Sequence, residues 1–299
     1  MTGALAGAVA AVGQSADAAS PSPWAFHPHP DIIALCLTLL VGYGYALRRF
    51  GPLFHPQPGD VVATRRQRGL FVFGVALLFV ALGWPVHDLG EHYLYTAHMI
   101  QHLLIGFAVL PLLLLGTPEW LARLLLGTRG RARVLAWLTR PVVAIITFNV
   151  GLALIHWPAV VDLMLTNAVF HGGIHLLFLA ASFVLWLPLV SPLPEMVRMS
   201  PPAKMAYLFV QTILPTIPGA FLVFGERPIY ARYAEFPRLW GLSPVDDMQL
   251  AGFIMKLGTA TLLGAVIAVM FFRWAATEQV PVVSAEREPT PHEPSTPWS

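Results

Sequence analysis

The sequence predicts an all-α integral membrane protein, a bundle of seven transmembrane helices with its N-terminus outside the cell and its C-terminus in the cytoplasm. Three observations support this fold class. Hydrophobic residues make up 56% of the 299 residues and charged residues only 11%, whereas soluble domains carry about 25% charged residues. Apolar runs long enough to cross a bilayer recur along the chain. Basic residues are concentrated in every second connection between these runs.

Seven apolar runs are long enough to cross about 30 Å of hydrocarbon as helices, which rise about 1.5 Å per residue. Helices are expected because an open strand edge would leave backbone polar groups without partners in lipid. Prolines interrupt the sixth run at Pro215 and Pro218, where a kink is predicted. The runs cover residues 31–49, 67–85, 95–115, 141–160, 168–188, 203–224 and 249–273.

The predicted orientation follows from the positions of Lys and Arg. Fourteen of the 18 basic residues lie in or beside the first, third and fifth connections or in the C-terminal tail. The N-terminal arm and the second and fourth connections contain none. Because basic connections stay on the cytoplasmic side, the N-terminus is expected outside and the C-terminus inside.

The chain divides into three predicted parts. Residues 1–30 form a flexible outer arm, residues 31–274 the membrane domain, and the proline-rich residues 275–299 a disordered cytoplasmic tail. A cleaved signal peptide in residues 1–20 has weak support, because they lack a basic start. Residues 118–139 predict an arginine-bearing helix on the inner membrane surface. We expect no nucleotide or nucleic-acid partner, because nucleotide-binding motifs and long basic patches are missing from the sequence.

The histidines are the main functional signal. With this orientation, nine of the 11 histidines fall at the outer face. His98 and His102 begin the third run, and His171 and His175 begin the fifth. A spacing of four residues places both rings of each pair on one helix face, about one turn apart. Two such pairs at equal depth can bind one or two metal ions through four imidazoles.

Further candidate ligands lie at the same predicted face. His156 ends the fourth run, and His87 and His92 lie in the second connection. Asp247, before the seventh run, is a candidate metal-site carboxylate, with capping of that helix as the alternative. Acidic residues accompany the histidines at this face; they are Asp31, Asp88, Glu91, Asp162, Asp246 and Asp247.

Three other residues carry structural expectations. Gly172 and Gly173 are expected to let a neighbouring helix approach the fifth span closely. Lys256 lies inside the seventh run, where an unpaired ammonium is costly, so we expect a carboxylate partner from the outer face. These expectations depend on packing that the sequence does not contain.

Copper is the expected metal, because imidazole suits copper and the affinity order of divalent metals favours it. Zinc and a single haem are the alternatives. The single cysteine, Cys36, excludes an all-cysteine site within one chain. Met99, Met164, Met248 and Met255 fall in the outer halves of the spans, where thioethers could contact Cu(I).

The motifs HMIQHLL, FHGGIH and DDMQLAGFIM in the third, fifth and seventh runs resemble the polytopic CtaG family of cytochrome c oxidase assembly factors. The resemblance covers roughly residues 25–275. It implies a bacterial plasma-membrane protein that helps to mature a copper–haem oxidase through copper supply. On this resemblance the site residues are His98, His102, His171 and His175, with Asp247 as a lesser candidate.

The predicted function is therefore a membrane assembly factor that binds copper with its outer histidines and supports its delivery to cytochrome c oxidase subunits. The expected role is not enzymatic. A seven-span zinc-dependent hydrolase, with imidazole ligands and a carboxylate base, remains one alternative. A copper transporter is the other, although its path would require polar groups at several depths.

Overall fold

A computed structural model describes residues 22–278 except 55, 56, 58, 197, 198 and 214. All regular secondary structure in these residues is helical, which confirms the predicted all-α class. Most of the predicted arm, the region of the predicted signal peptide and the tail beyond residue 278 lie outside the described residues. His55 and His292 also lie outside them.

Helices account for most of the described residues. In chain order, they are α1 (Pro30–Arg49), α2 (Gly51–Phe54), α3 (Arg65–Leu82), α4 (Val86–His92), α5 (Tyr95–Leu103), π1 (Leu104–Val109), α6 (Leu110–Gly116), α7 (Glu119–Leu126), α8 (Arg129–Leu138), α9 (Pro141–Ile155), α10 (Pro158–Met164), α11 (Ala168–Val190), a 3₁₀ turn (Pro194–Met196), α12 (Pro201–Ile213), α13 (Thr216–Val223), α14 (Ala231–Glu235), α15 (Pro244–Phe253), π2 (Ile254–Gly258) and α16 (Thr259–Glu278).

Six helical segments of the described chain are long and apolar enough to cross a membrane. They match six of the seven predicted runs, and we number them spans one, two, three, five, six and seven. Their bounds are Pro30–Arg49, Arg65–His92, Tyr95–Gly116, Val169–Val190, Pro201–Val223 and Pro244–Glu278. These helices fit a multi-pass membrane protein.

The fourth predicted span is shorter than expected. Its helix α9 has 15 residues, or about 22 Å at 1.5 Å per residue. It reaches the length of a span only together with α8, from which it is bent by 76° at the turn before Pro141. Proline at the first helical position favours a new helix start at this point.

The single inner-surface helix predicted for residues 118–139 is instead two short helices, α7 and α8. Gly127 separates them with a φ of +69°, a conformation that favours glycine. Thr128 then begins α8 by accepting a hydrogen bond from the backbone N–H of Arg131. A glycine followed by a capping threonine explains why the helix is divided at this position.

Span six is interrupted where the prolines predicted a kink. Helix α12 ends at Ile213 and α13 begins at Thr216, with Pro215 between them. Proline cannot donate a backbone hydrogen bond, so the carbonyls of the preceding turn need other donors. Lys256 supplies one of these donors, since its Nζ lies 3.1 Å from the carbonyl oxygen of Thr212 and also bonds the Thr216 hydroxyl. The prediction of a carboxylate partner for Lys256 is therefore wrong, because its ammonium bonds the two threonines instead.

Span three lies at the centre of the bundle, because 56% of its most apolar stretch of 18 residues is buried inside the protein. The corresponding share is 17% for spans one and seven. It approaches span five at Gly106, where an added Cβ would lie 2.8 Å from Cζ of Phe178. Trp186 of span five donates its indole N–H to the Gly106 carbonyl at 2.7 Å. The prediction that a neighbouring helix approaches closely at Gly172 and Gly173 is wrong. A Cβ added at either position would meet no heavy atom within 4 Å.

Candidate metal centre

All nine histidines that the structure describes lie at one end of the bundle, which we call the histidine end. Ring contacts and hydrogen bonds link most of them into one network. The elements that supply them are the residues before α1, then α4, α5, α11 and the C-terminal end of α9. The predicted grouping of histidines from separate segments is therefore present in the fold.

The four helical histidines of spans three and five face one another. Within the pairs, ring centres lie 4.3 Å apart for His98 and His102, and 4.6 Å for His171 and His175. Between the pairs, His175 lies 6.0 Å from His98 and 5.5 Å from His102. Two imidazoles that share one tetrahedral ion have ring centres roughly 5 Å apart, because metal–nitrogen distances are about 2 Å. The cross-pair separations are only slightly longer.

Among the residues that the structure describes, Glu91, His171 and His175 form a group of candidate ligand atoms. One ligand atom from each residue lies within 4.8 Å of the other two. The Nε2 atoms of His171 and His175 are 2.7 Å apart, so both nitrogens point to the same space. Glu91 Oε1 lies 3.2 Å from Nδ1 of His171. We call these three residues the carboxylate site.

Glu91 was named in the sequence only as one of several accompanying acids, and its position next to two helical histidines was missed. The available signal was the spacing of four between His87 and Glu91, which places both on one face of α4. Their side chains meet at 3.1 Å between His87 Nε2 and Glu91 Oε1. What the spacing could not show is the approach of α4 to span five.

His87 positions this carboxylate. Its Nδ1 lies 3.0 Å from the amide nitrogen of Gln101, and its Nε2 faces Glu91. Because an amide nitrogen donates and a carboxylate accepts, this arrangement fits a neutral imidazole with its hydrogen on Nε2. Both ring nitrogens of His87 are thus engaged, which favours a supporting role beside the metal ligands.

A second acidic residue organises the arm that precedes span one. The buried carboxylate of Asp88 lies 3.2 Å from His27 Nδ1 and 2.7 Å from His29 Nε2. We call His27, His29 and Asp88 the arm group. The ring of His29 then meets the ring of His87 at 5.1 Å, so the arm group adjoins the carboxylate site. His92 lies beside Asp88, with Nδ1 3.2 Å from the Asp88 carbonyl oxygen.

Asp247 holds the helix that carries His98 and His102. Its carboxylate accepts the backbone N–H groups of Tyr95 at 2.8 Å and Thr96 at 3.0 Å, at the start of span three. A carboxylate at a helix N-terminus also favours the helix dipole. Asp246, by contrast, forms a capping box with Ser243 at the start of span seven. We therefore assign Asp247 to positioning of span three, and its neighbour to capping of span seven.

A layer of tyrosines covers the helical histidines and was also missed in the sequence. Tyr230 donates to the carbonyl of His156 at 3.0 Å, and Tyr233 donates to the carbonyl of Gly90 at 2.9 Å. Both lie in or beside α14, in the connection between spans six and seven. Burial raises the pKa of Tyr230 to about 12, so its phenol stays protonated and acts as a donor. These bonds tie the connection between spans six and seven to the histidine end.

Five buried ring nitrogens at the histidine end have no hydrogen-bond partner within the described part of the chain. They are His98 Nδ1, His102 Nδ1, His102 Nε2, His156 Nε2 and His175 Nδ1. A buried polar atom without a partner costs roughly 1–3 kcal/mol, and native proteins contain few of them. A concentration of such atoms in one cluster indicates that the nitrogens serve a ligand.

The donors fit a transition-metal ion better than a haem. Imidazole and carboxylate ligands suit copper and zinc. The cavity lined by His102 and His156 holds about 20 Å³, enough for about one water-sized group. A haem or a substrate molecule requires a cavity of about 300 Å³ or more, so neither fits in this space.

Comparison with known protein families gives one match. The model of the family described as cytochrome c oxidase caa3 assembly factor (Caa3_CtaG) matches residues 41–277. This range covers most of the chain and includes the four helical histidines, His87, Glu91 and His156, while His27 and His29 precede it. No curated protein and no solved structure matches the chain.

Proposed function

The chain belongs to the family of cytochrome c oxidase caa3 assembly factors (Caa3_CtaG), and from this premise we propose that it binds copper at the histidine end and supports copper delivery to the oxidase. Copper is the cargo in this proposal. The recipient is an oxidase subunit that receives a metal centre. The histidine end faces the outside of the plasma membrane, as the distribution of basic residues predicts.

One observation carries the proposal. Imidazoles from two spans that are distant in sequence converge, and five of the buried ring nitrogens of the network lack hydrogen-bond partners in the described residues. Packing alone does not favour this arrangement, because leucine or phenylalanine would fill the same volume without unpaired nitrogens. A bound ion provides the missing partner for these nitrogens.

Delivery requires that the ion leaves as well as binds, and the arrangement of donors supports exchange. The arm group contains the more exposed entry point, since the side chain of His27 is 59% exposed while that of His171 in the carboxylate site is 9% exposed. Copper captured by the arm histidines would pass to the carboxylate site by replacement of one ligand at a time. Replacement of the ligands in the opposite order, from the carboxylate site to the arm histidines, would release the copper to a docked oxidase subunit.

The polar groups deeper in the bundle favour a binding site at one end over a transport path. Lys256 bonds Thr212 and Thr216, and the amide of Asn149 donates to Gln211 at 2.6 Å. The ammonium of Lys256 and the amide nitrogen of Asn149 are thus paired within the protein, whereas Asn149 Oδ1 and Gln211 Nε2 have no partner in the described residues. The small cavity beside His102 likewise offers no space for the substrate of a zinc hydrolase.

The proposal is tested by metal analysis of the purified protein. The variant His98→Leu, His102→Leu, His171→Leu, His175→Leu is loaded with copper beside the unchanged protein and the control His292→Leu. Leucine avoids new buried polar groups, so the helices are expected to fold. We expect the fourfold variant to lose most of its copper and to lower the copper content of the oxidase in cells. Unchanged copper content in a folded fourfold variant would overturn the proposal.

A further inference from the structure

A small cavity lies deeper than the carboxylate site, between spans three, four, five and seven and Pro215 of span six. It holds about 20 Å³, and its lining combines two imidazoles with two thioethers, from His102, His156, Met99 and Met255. The rest of the lining is almost entirely apolar and includes Phe107 and Phe178. We call the four donor residues the inner site. All four side chains are buried.

The hydrogen bond of His156 fixes which of its nitrogens can bind an ion. Its Nδ1 lies 2.7 Å from the carbonyl oxygen of Leu152. A carbonyl only accepts, so Nδ1 carries the hydrogen and Nε2 keeps a lone pair. That Nε2 is buried and has no partner among the residues described. A ring oriented by a backbone carbonyl, with its other nitrogen free, is the usual arrangement of a metal-binding histidine.

His102 is the second nitrogen donor. Both of its ring nitrogens are buried without a hydrogen-bond partner in the described chain, and its ring centre lies 6.4 Å from that of His156. The ring stacks on Phe178 at 4.7 Å, which restricts its orientation. The two imidazoles are therefore held on either side of the cavity without another group to satisfy them.

The donor set selects the charge of the ion. Thioether and imidazole are neutral ligands, and soft thioethers favour Cu(I). No carboxylate is among the residues that line the cavity. A divalent ion among neutral donors in an apolar site carries a larger desolvation cost than a monovalent ion. The carboxylate site differs from this cavity, because Glu91 adds a negative charge to its donor set.

The backbone geometry around the cavity also supports a binding site at this position. Helix π1 begins two residues after His102, and π2 contains Met255. Such turns are rare and occur often at functional sites. Span seven also approaches span three next to His102, since a Cβ at Gly258 would lie 2.6 Å from Cδ1 of Leu103. Two wide turns on neighbouring spans thus bring a histidine and a methionine to one cavity.

From these observations we infer that His102, His156, Met99 and Met255 form a Cu(I) site separate from the carboxylate site. The inference rests on the proposed function for its cargo, copper. His102 connects the two sites, because its ring lies 4.3 Å from His98 and 5.5 Å from His175. Copper would thus enter and leave the inner site as Cu(I), without a change of oxidation state, by replacement of one neutral ligand at a time through His102.

The test compares two variants of the full-length protein in detergent. Met99→Leu, Met255→Leu removes the thioethers at nearly constant volume, and His171→Leu, His175→Leu removes the carboxylate site. Met164→Leu, Met196→Leu is the matched control, since both methionines are buried and neither lines the cavity. Cu(I) is titrated against a chromophoric chelator, and X-ray absorption measures sulfur scattering from bound copper.

We expect the unchanged protein and the methionine control to show copper–sulfur scattering. The Met99→Leu, Met255→Leu variant is expected to lose this scattering and at least tenfold in Cu(I) affinity, while its Zn²⁺ binding stays unchanged. The His171→Leu, His175→Leu variant is expected to keep the sulfur signal. Copper without sulfur scattering in the unchanged protein would overturn the inner site and leave the proposed function standing. If neither the unchanged protein nor any variant bound copper, both the inner site and the proposed function would be overturned.

Discussion

Glu91 shows how one side chain can connect two helices at a candidate metal centre. It contacts His87 on its own helix and His171 on span five. The histidine pairs followed from their spacing, because four residues on a helix place two rings on one face whatever the surroundings are. The role of Glu91 did not follow, because it depends on a contact between residues 80 positions apart in the chain.

Glu91→Gln is expected to weaken metal binding at the carboxylate site about tenfold. The substitution keeps the volume but replaces a charged ligand oxygen with a neutral amide oxygen, and loss even of a group that only orients a ligand commonly costs 10–100-fold in affinity. The measurement is Zn²⁺ titration of the purified protein. Asp162→Asn is the control, an acidic residue in α10 outside the carboxylate site. Equal affinities of Glu91→Gln and the unchanged protein would contradict the assignment.

Asp247→Ala is expected to lower thermal stability without removing a metal donor. It leaves the backbone N–H groups of Tyr95 and Thr96 without their buried acceptor, at a cost of about 2 kcal/mol. Asp246→Ala, at an exposed capping residue, is expected to cost less. The midpoints of thermal unfolding in detergent compare the two variants. A larger loss in Asp246→Ala would contradict the assignment of Asp247 to span three.

At the level of elements, the position of α4 against span three determines where Glu91 lies. A Cβ at Gly90 would come within 3.0 Å of the backbone nitrogen of His98 and 3.1 Å of its Cα. Such contacts involve backbone, so a side chain at Gly90 has to move one helix relative to the other. Glycine at this position is thus a requirement of close packing rather than of a turn.

Gly90→Ala is therefore expected to displace Glu91 from His171 and to weaken metal binding several-fold. Gly172→Ala is the matched control, since it adds the same methyl group at the same end of the bundle in open space. The control is expected to keep its affinity and to gain about 0.5–1 kcal/mol of helix stability. Zn²⁺ titration of both variants measures the difference. A similar loss in both would show that the packing of α4 is not the cause.

Only some of the irregularities in the helices could be predicted from the sequence, and the reason is physical. Pro215 removes a backbone donor, so the break in span six was visible in the sequence. The π-helical segments beside the inner site were not, because a wider turn keeps a similar apolar composition and involves no proline. The bend before α9 was missed as well, since hydropathy reports length and polarity but not direction.

For the whole molecule, composition predicted the helical class, because lipid excludes most other folds, and the order of the apolar runs predicted that most histidines lie at one end. The placement of helices around span three, and hence the inner site, depends on contacts that one sequence does not contain. The orientation across the membrane stays a prediction from the basic residues. It decides on which side of the membrane the candidate metal centre lies.

Single-cysteine labelling tests this orientation. The single cysteines are introduced into the Cys36→Ser background. We expect Trp24→Cys, in the arm, to react with a membrane-impermeant maleimide in intact cells whose outer envelope lets the reagent reach the plasma membrane. Arg131→Cys, in α8, is expected to react only after lysis of the plasma membrane. The labelled fraction in each state is measured on gels. The reverse pattern would place the histidine end in the cytoplasm and contradict delivery to an external recipient.

The short helix α9 has a consequence for the bilayer around it. Its length of about 22 Å is less than the roughly 30 Å of a typical hydrocarbon layer, and such hydrophobic mismatch is relieved by local thinning of the lipid. Because His156 terminates this helix, the thinned zone would lie beside the inner site. Headgroups and water would then approach the buried donors from the side, and an ion bound there would have a short way out of an otherwise apolar bundle.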